Sequence, residues 1–300
     1  KNPDRGFVSS ANQHPVDEKY PFYVFNDGYD TYRSRVINDF FRSKDKFSVE
    51  DLKGLQNNTF NLKASELLPY IFDTMDTSSL TEDERRIYNQ IKNWDFYSDI
   101  DKLAPSIWSA WWPRLYAKVW DEFDIEDVAL DVPFTYQTIY MLTNMPNDEF
   151  MDIKETPEKE SAQDLFLMTF KEAANALVEW KASNGEYNYQ QYKGTFVGHL
   201  LQGLPAFSRF ELPIGGDRNT VNAMDKNHGP SWRMVVELSS PPQAYGIYPG
   251  GQSGNPGSKY YDNFIDDWAI GNYHKLNFLQ SKEPNDGIIG TQTIKPSPNE

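Results

Sequence analysis

Between about Tyr29 and Asn184 the apolar residues recur every three or four positions, and a chain patterned in this way can bury them only as helices. Phe166, Phe170, Ala173 or Ala174, and Leu177 form one stripe. It opens at an S-x-x-D signal, Ser161 to Asp164, where hydroxyl and carboxylate can each satisfy a free backbone group, and it closes at Gly185. Ile87, Ile91 and Trp94 line a second face behind the matching pair Thr81 and Glu84. Trp108, Trp111 or Trp112, Leu115 and Val119 line a third behind Pro105. Because these aromatics fall on the buried period, they read as core rather than as a ligand box. From Gly203 the character changes: Pro and Gly become frequent, and "RMVVELSS" and "AYGIYP" predict strands separated by the turn "PPQ". A last helix is expected over "YYDNFIDDWAIGNYHKL", with Tyr260, Phe264 and Trp268 on one face. The acidic stretch "MDIKETPEKESAQD" reads as a solvated loop or a helix start.

The chain has 300 residues, 39% of them hydrophobic, which suffices for one large domain or two modest ones. With 44 acidic against 29 basic residues its net charge is −15, so phosphate backbones and anionic lipid surfaces are poor partners. Neither nucleic acid nor membrane is expected to bind. Cysteine is absent, which excludes disulfides, thiolate nucleophiles and zinc–thiolate sites within this sequence.

Several chemical motifs fail on spacing. In "YPGGQSGNPGSKYYDNF" Gly257 is followed by Ser258 before Lys259, whereas a phosphate-binding loop needs Lys directly after Gly. The run Gly251 to Asn255 places its second Gly one position too early for a nucleophile elbow, so Ser253 is not supported as a hydrolase serine. His14, His199, His228 and His274 form no close pair of the kind that binds metal. Asp262, Asp266 and Asp267 could pair as carboxylates, but a solvated helix face fits them better. Near the start, "GFVSSANQHP" reads as a strand ending in a turn, and Asn12 there has two readings. It can turn the chain, since Asn tolerates left-handed backbone, or its amide can point into a site and hold negative charge.

Two long blocks, "GGDRNTVNAMDKNHGPSWRMVVELSS" at 215–240 and "YGIYPGGQSGNPGSKYYDNFIDDWAIGNYHKL" at 245–276, resemble the C-terminal part of penicillin amidase family β-chains. "SSANQHPVDEKYPF" at 9–22, "YRSRVINDFF" at 32–41 and "LQNNTFNLKASELLPYI" at 55–71 resemble successive earlier blocks in the same order. The resemblance implies an α/β (α+β) fold: part of an αββα N-terminal-nucleophile hydrolase sandwich with a large helical insertion. Residues 1–28 would belong to the sandwich, 29–202 would form the insertion, and 203–300 would return to the sheets.

It also implies an amidohydrolase whose N-terminal Ser attacks an acyl amide, with a tetrahedral oxyanion that needs a fixed donor. The family's Asn in Ala-Asn-x-x-Pro falls on Asn12, and its ordering Arg falls on Arg33, with Arg35 as the competing position. Asn222 and the "GGQSG" loop are expected to support the scaffold. The chain opens on Lys1, so the resemblance places the nucleophile outside it. The expected partners are then an α-chain, the first part of the β-chain and an acyl-amide substrate, and the chain alone would be inactive. No cofactor is required. Calcium accompanies some members, but the position near Val24 has no carboxylate, and Asp27 and Asp30 do not align with it. A periplasmic or secreted location is implied. The alternative reading is a secreted glycan- or peptide-binding module with an aromatic-lined groove.

Overall fold

In a computed structural model, residues 2–17, 19–24, 29–124, 130–201, 203–281, 288 and 290–296 are described; Lys1 and Asp27 lie outside them. The described residues form α1 (Tyr32–Arg42), α2 (Val49–Gln56), α3 (Leu62–Thr74), α4 (Glu82–Lys92), α5 (Ala104–Val119), α6 (Thr135–Asn144), α7 (Ala162–Asn184), α8 (Tyr189–Lys193) and α9 (Ile265–Ala269). They also form β1 (Arg233–Glu237), β2 (Gln243–Ile247) and β3 (His274–Leu276). The protein is α+β: a helical body is followed by one small antiparallel sheet in the order β1-β2-β3.

Helix starts follow their local chemistry. Thr81 and Glu84 cap α4 reciprocally, as do Ser161 and Asp164 for α7. At α7 the Asp164 carboxylate accepts the Ser161 N–H at 2.9 Å, and the helix ends at Gly185, whose φ of +91° suits a residue without Cβ. Each lost cap would cost roughly 1 kcal/mol. The main core lies where α5 packs on α7. Trp111 is fully buried there against Phe170, their ring centroids 4.9 Å apart, and its indole N–H donates to Thr169 Oγ1 at 3.0 Å. Burial of a side chain that size contributes about 2–3 kcal/mol.

A second, smaller core joins Leu212, Ile214, Met224, Ile247, Ile265 and Trp268 beneath the sheet. Buried Arg233 ties this layer together, donating to the Trp268 carbonyl and to Asn222 Oδ1, each at 2.7 Å. Asn222 therefore serves the scaffold. The β1–β2 register pairs Val235 with Tyr245, and β2–β3 pairs Tyr245 with Lys275. Arg233 and Val235 face inward; Met234 and Val236 stay 45% and 40% exposed on the other face.

Four expectations are corrected. No strand forms over residues 6–10: that segment is an extended run without a ladder, because among the described residues no strand lies beside it to pair. The expected long terminal helix shortens to α9, since Gly271 at φ +80° turns the chain against Asn57 and sends it into β3. The acidic stretch is not wholly solvated. Met151 and Ile153 enter the core, and the buried Glu160 carboxylate accepts the Ile153 N–H at 3.0 Å. Nor do Asp262 and Asp266 form a merely solvated face, since both grip Arg209, each at 2.6 Å. The described residues form helices and one three-stranded sheet; two stacked sheets are not formed among them.

Candidate active site

The segment that carries Asn12 lies against α1 and runs opposite to it. Phe7 stacks on Phe41 with centroids 5.1 Å apart, Ser9 Oγ donates to Asn38 Oδ1 at 3.0 Å, and Arg33 Nη2 donates to Asn12 Oδ1 at 2.6 Å. Three ties spaced along one helix fix the segment's path without any sheet. The helix itself is anchored to α3 by buried Tyr32 and by Arg35, whose guanidinium forks onto the Glu66 carboxylate. Glu66 raises the Arg35 pKa through this bond, outweighing the opposing effect of partial burial. The two candidate arginines are thus separated by partner: Arg33 meets Asn12, and Arg35 is held by a carboxylate.

The chemistry of the Asn12–Arg33 contact follows from donor inventory. A guanidinium only donates, and the amide's one acceptor is its oxygen, so Arg33 fixes which end of the amide faces it. The amide N–H groups are then left on the other side, available to a negative oxygen. Asn12 itself stands at φ +44°, the left-handed conformation that Asn tolerates. The turn reading of this residue thus has its backbone signature, and Arg33 fixes the orientation of its amide. The amide is exposed. Beside it, residues that directly follow Asn12 and precede Arg33 line an open cavity of about 690 Å³, with His14, Tyr29 and Thr31 in its wall.

The "GGQSG" loop is a turn built on its own main chain. The Tyr248 hydroxyl donates to the Gly251 carbonyl at 3.0 Å, and a Cβ on Gly251 would collide with the carbonyls of Tyr260 and Tyr261. Ser253 serves that turn, its N–H bonded to Tyr260 O at 3.0 Å. Asp30 takes the Tyr136 backbone N–H at 3.3 Å, and among the described residues no three His, Asp or Glu side chains are grouped as metal ligands.

Similarity to known proteins decides the family. The sequence pattern of the penicillin amidase family matches residues 1–284. The chain belongs to the penicillin amidase family. Among its relatives, the acyl-homoserine lactone acylase QuiP of Pseudomonas aeruginosa PAO1 is 20% identical over 344 aligned positions, covering 99% of this chain and 40% of that protein. QuiP of Pseudomonas syringae pv. syringae B728a is 37% identical over 82 residues, 25% of this chain and 10% of its own length. A thermostable penicillin G acylase from Alcaligenes faecalis superposes with a TM-score of 0.54 at 13% identity, over 99% of this chain and 58% of that one. This penicillin amidase family chain therefore shares the acylase fold while spanning less than two thirds of each of these proteins. Trp94, Trp111, Trp120 and Trp268 are buried in the cores, whereas Trp232 is half exposed and Trp108 and Trp112 line a cavity.

Two lysines lie outside the residues expected to form a site. Lys63, in the first turn of α3, is only 5% exposed, and Lys193, in the last turn of α8, donates to the Gly216 and Gly215 carbonyls at 2.9 and 3.3 Å. Lysine in a helix ordinarily reads as solvated. The available signal was Lys63's place four residues before Leu67, on the face that α3 buries.

Proposed function

We propose that this chain forms part of an acylase that hydrolyses an acyl amide, with Asn12 as a side-chain donor to the tetrahedral oxyanion and Arg33 holding the Asn12 amide in register. The observation that carries the reading is the 2.6 Å bond from Arg33 to Asn12 Oδ1, which turns the amide's N–H groups away from the arginine. The nucleophile, an N-terminal Ser using its own α-amine as base, comes from polypeptide outside these 300 residues. The names of the relatives, an acyl-homoserine lactone acylase and a penicillin G acylase, favour the amide of an N-acyl lactone or of a β-lactam side chain as the scissile bond.

Exposed apolar side chains support the need for further polypeptide. Val8 is 79% exposed, Phe22 71% and Tyr23 81%, all in the segment of chain that carries Asn12, and Leu238 beyond β1 is 90% exposed. Large apolar side chains left this open to water favour contact with further polypeptide. On this reading the 300 residues alone are inactive, and the enzyme matures by self-cleavage of a longer precursor, in the periplasm or outside the cell.

The test is expression of the complete precursor and assay on N-acyl-homoserine lactones, penicillin G and simple phenylacyl amides, beside Asn12→Asp. Aspartate keeps the left-handed backbone and the Arg33 contact but replaces the N–H donor with an oxygen. A fall in kcat on the order of 10²- to 10³-fold is expected with the fold intact. Undiminished turnover by Asn12→Asp would remove Asn12 from the chemistry.

A further inference from the structure

A second cavity, of about 650 Å³, lies between α3, α5, α8 and the turn after Ile214; neither Asn12 nor Arg33 lines it, and Asp30 of its wall adjoins Tyr29 and Thr31 of the cavity beside Asn12. Its lining differs from the surface of this acidic protein: four cationic side chains, Lys63, Lys193, Arg218 and Lys226, stand against three carboxylates, Asp30, Asp217 and Asp225. The carboxylates are already engaged. Asp225 holds Arg218 at 2.9 Å, Asp217 takes the Asn61 amide and the Asn219 N–H, and Asp30 takes the Tyr136 N–H.

Lys63 is different. Its ammonium sits 4.5 Å from the Trp112 ring centroid and 5.6 Å from that of Trp108, yet among the described residues it has neither a carboxylate in ion-pair range nor an acceptor oxygen. Indole faces attract the charge but accept none of its hydrogen bonds fully. An ammonium that lines a cavity with no protein acceptor for its donors is free to meet a ligand there. Around it the wall is aromatic: Trp108, Trp112, Tyr116 and Tyr192 supply flat apolar surface.

We propose that this cavity is a binding site for a small aromatic carboxylate, whose anionic group meets the Lys63 ammonium while its ring lies along the Trp108–Trp112 wall. The volume suits a one- or two-ring ligand, and largely apolar walls with a few fixed polar groups are the usual design of such pockets. Lys193 and Lys226 add positive charge to the same lining. Lys193 is pinned by the Gly215 and Gly216 carbonyls, so it holds its position whether or not the ligand is present.

The probe is 1-naphthoate, with the neutral isostere 1-naphthamide as its control, titrated into the intact protein and followed by tryptophan fluorescence and calorimetry. Saturable one-to-one binding is expected for naphthoate, at least tenfold tighter than for naphthamide. Lys63→Met should weaken naphthoate at least tenfold with an unchanged far-ultraviolet circular dichroism spectrum. Because a core substitution can disturb folding, Lys226→Glu at the exposed rim is the second variant, with a severalfold weakening expected. Asn12→Asp should leave this binding unchanged. No saturable binding, equal affinity for acid and amide, or indifference to both lysine substitutions would overturn the assignment. Loss on Asn12→Asp with no effect of Lys63→Met would place the ligand in the acyl-transfer site instead and overturn it as well.

Discussion

Arg33 Nη2 lies 2.6 Å from Asn12 Oδ1, so a guanidinium at the start of α1 sets the rotation of an amide twenty-one residues earlier in the chain. If that rotation is what makes Asn12 an oxyanion donor, Arg33→Ala frees the amide to turn and lowers kcat by about tenfold, less than loss of the donor itself. Arg33→Lys, which keeps charge but not the planar fork, should recover only part of it. The contact is exposed, so the melting temperature should hardly move. Steady-state kinetics and a thermal melt on the same preparations check both halves of this prediction.

Asn12 also bears a conformational load, because φ +44° disfavours a Cβ without a compensating polar group. Asn12→Ala is therefore expected to cost about 1 kcal/mol of stability, and Asn12→Gly close to none. Urea unfolding of the three proteins separates this backbone effect from catalysis: alanine and glycine should be equally inactive and unequally stable.

How much of this was legible in sequence depends on how local the cause is. The boxes at Thr81–Glu84 and Ser161–Asp164 need only four residues each, and the structure forms both. The strand expected before Asn12 needs a neighbour to complete its hydrogen bonds, and nothing in "GFVSS" could report whether one is there. The terminal helix failed at Gly271, whose turn depends on Asn57, more than two hundred residues away. Arg33 and Asn12 were legible only through family resemblance, since neither residue is unusual by itself. Lys63 was legible only as a place on the buried face of α3, four residues before Leu67; the indoles that enclose its ammonium, those of Trp108 and Trp112, come from α5.

Burial lowers the Lys63 pKa to about 8, with Asp217 and Asp30 opposing that shift from a distance. The unfolded chain then binds more protons than the folded one between about 8 and the ordinary 10.5, so stability rises with pH across that window and the penalty is complete below it. Lys63→Met should stabilise the protein at pH 7 by about 2 kcal/mol, the desolvation cost less the lost attraction to two indoles. The gain should shrink by pH 9.5. Lys193, lowered by burial to about 7, retains its own slope in both proteins. Urea midpoints at the two pH values test the sign: a destabilised methionine variant would mean that the ammonium is better satisfied than its surroundings indicate.

At the main core the indole N–H of Trp111 has Thr169 Oγ1 as its acceptor, and that hydroxyl in turn donates to the Leu165 carbonyl at 2.6 Å. Thr169→Val keeps the shape and removes the acceptor. An unpaired buried donor costs about 1–3 kcal/mol, whereas Thr169→Ser should retain the bond and lose only a methyl group. Chemical denaturation should rank the proteins parent, serine, valine in falling stability.

Arg209 bridges Asp262 and Asp266 and so clamps the start of α9 to the chain before Leu212, at the edge of the smaller core. Both carboxylates are substantially exposed, at 40% and 80%, so each pair contributes little alone. One guanidinium shared between two carboxylates loses its rotamer freedom once for two contacts, which lifts the combined contribution toward about 1 kcal/mol. Arg209→Ala should lower stability by that amount in dilute buffer. In 1 M NaCl, where the screening length falls to about 3 Å, most of the difference should vanish. A loss that persists undiminished in high salt would instead assign the effect to packing of the arginine stem.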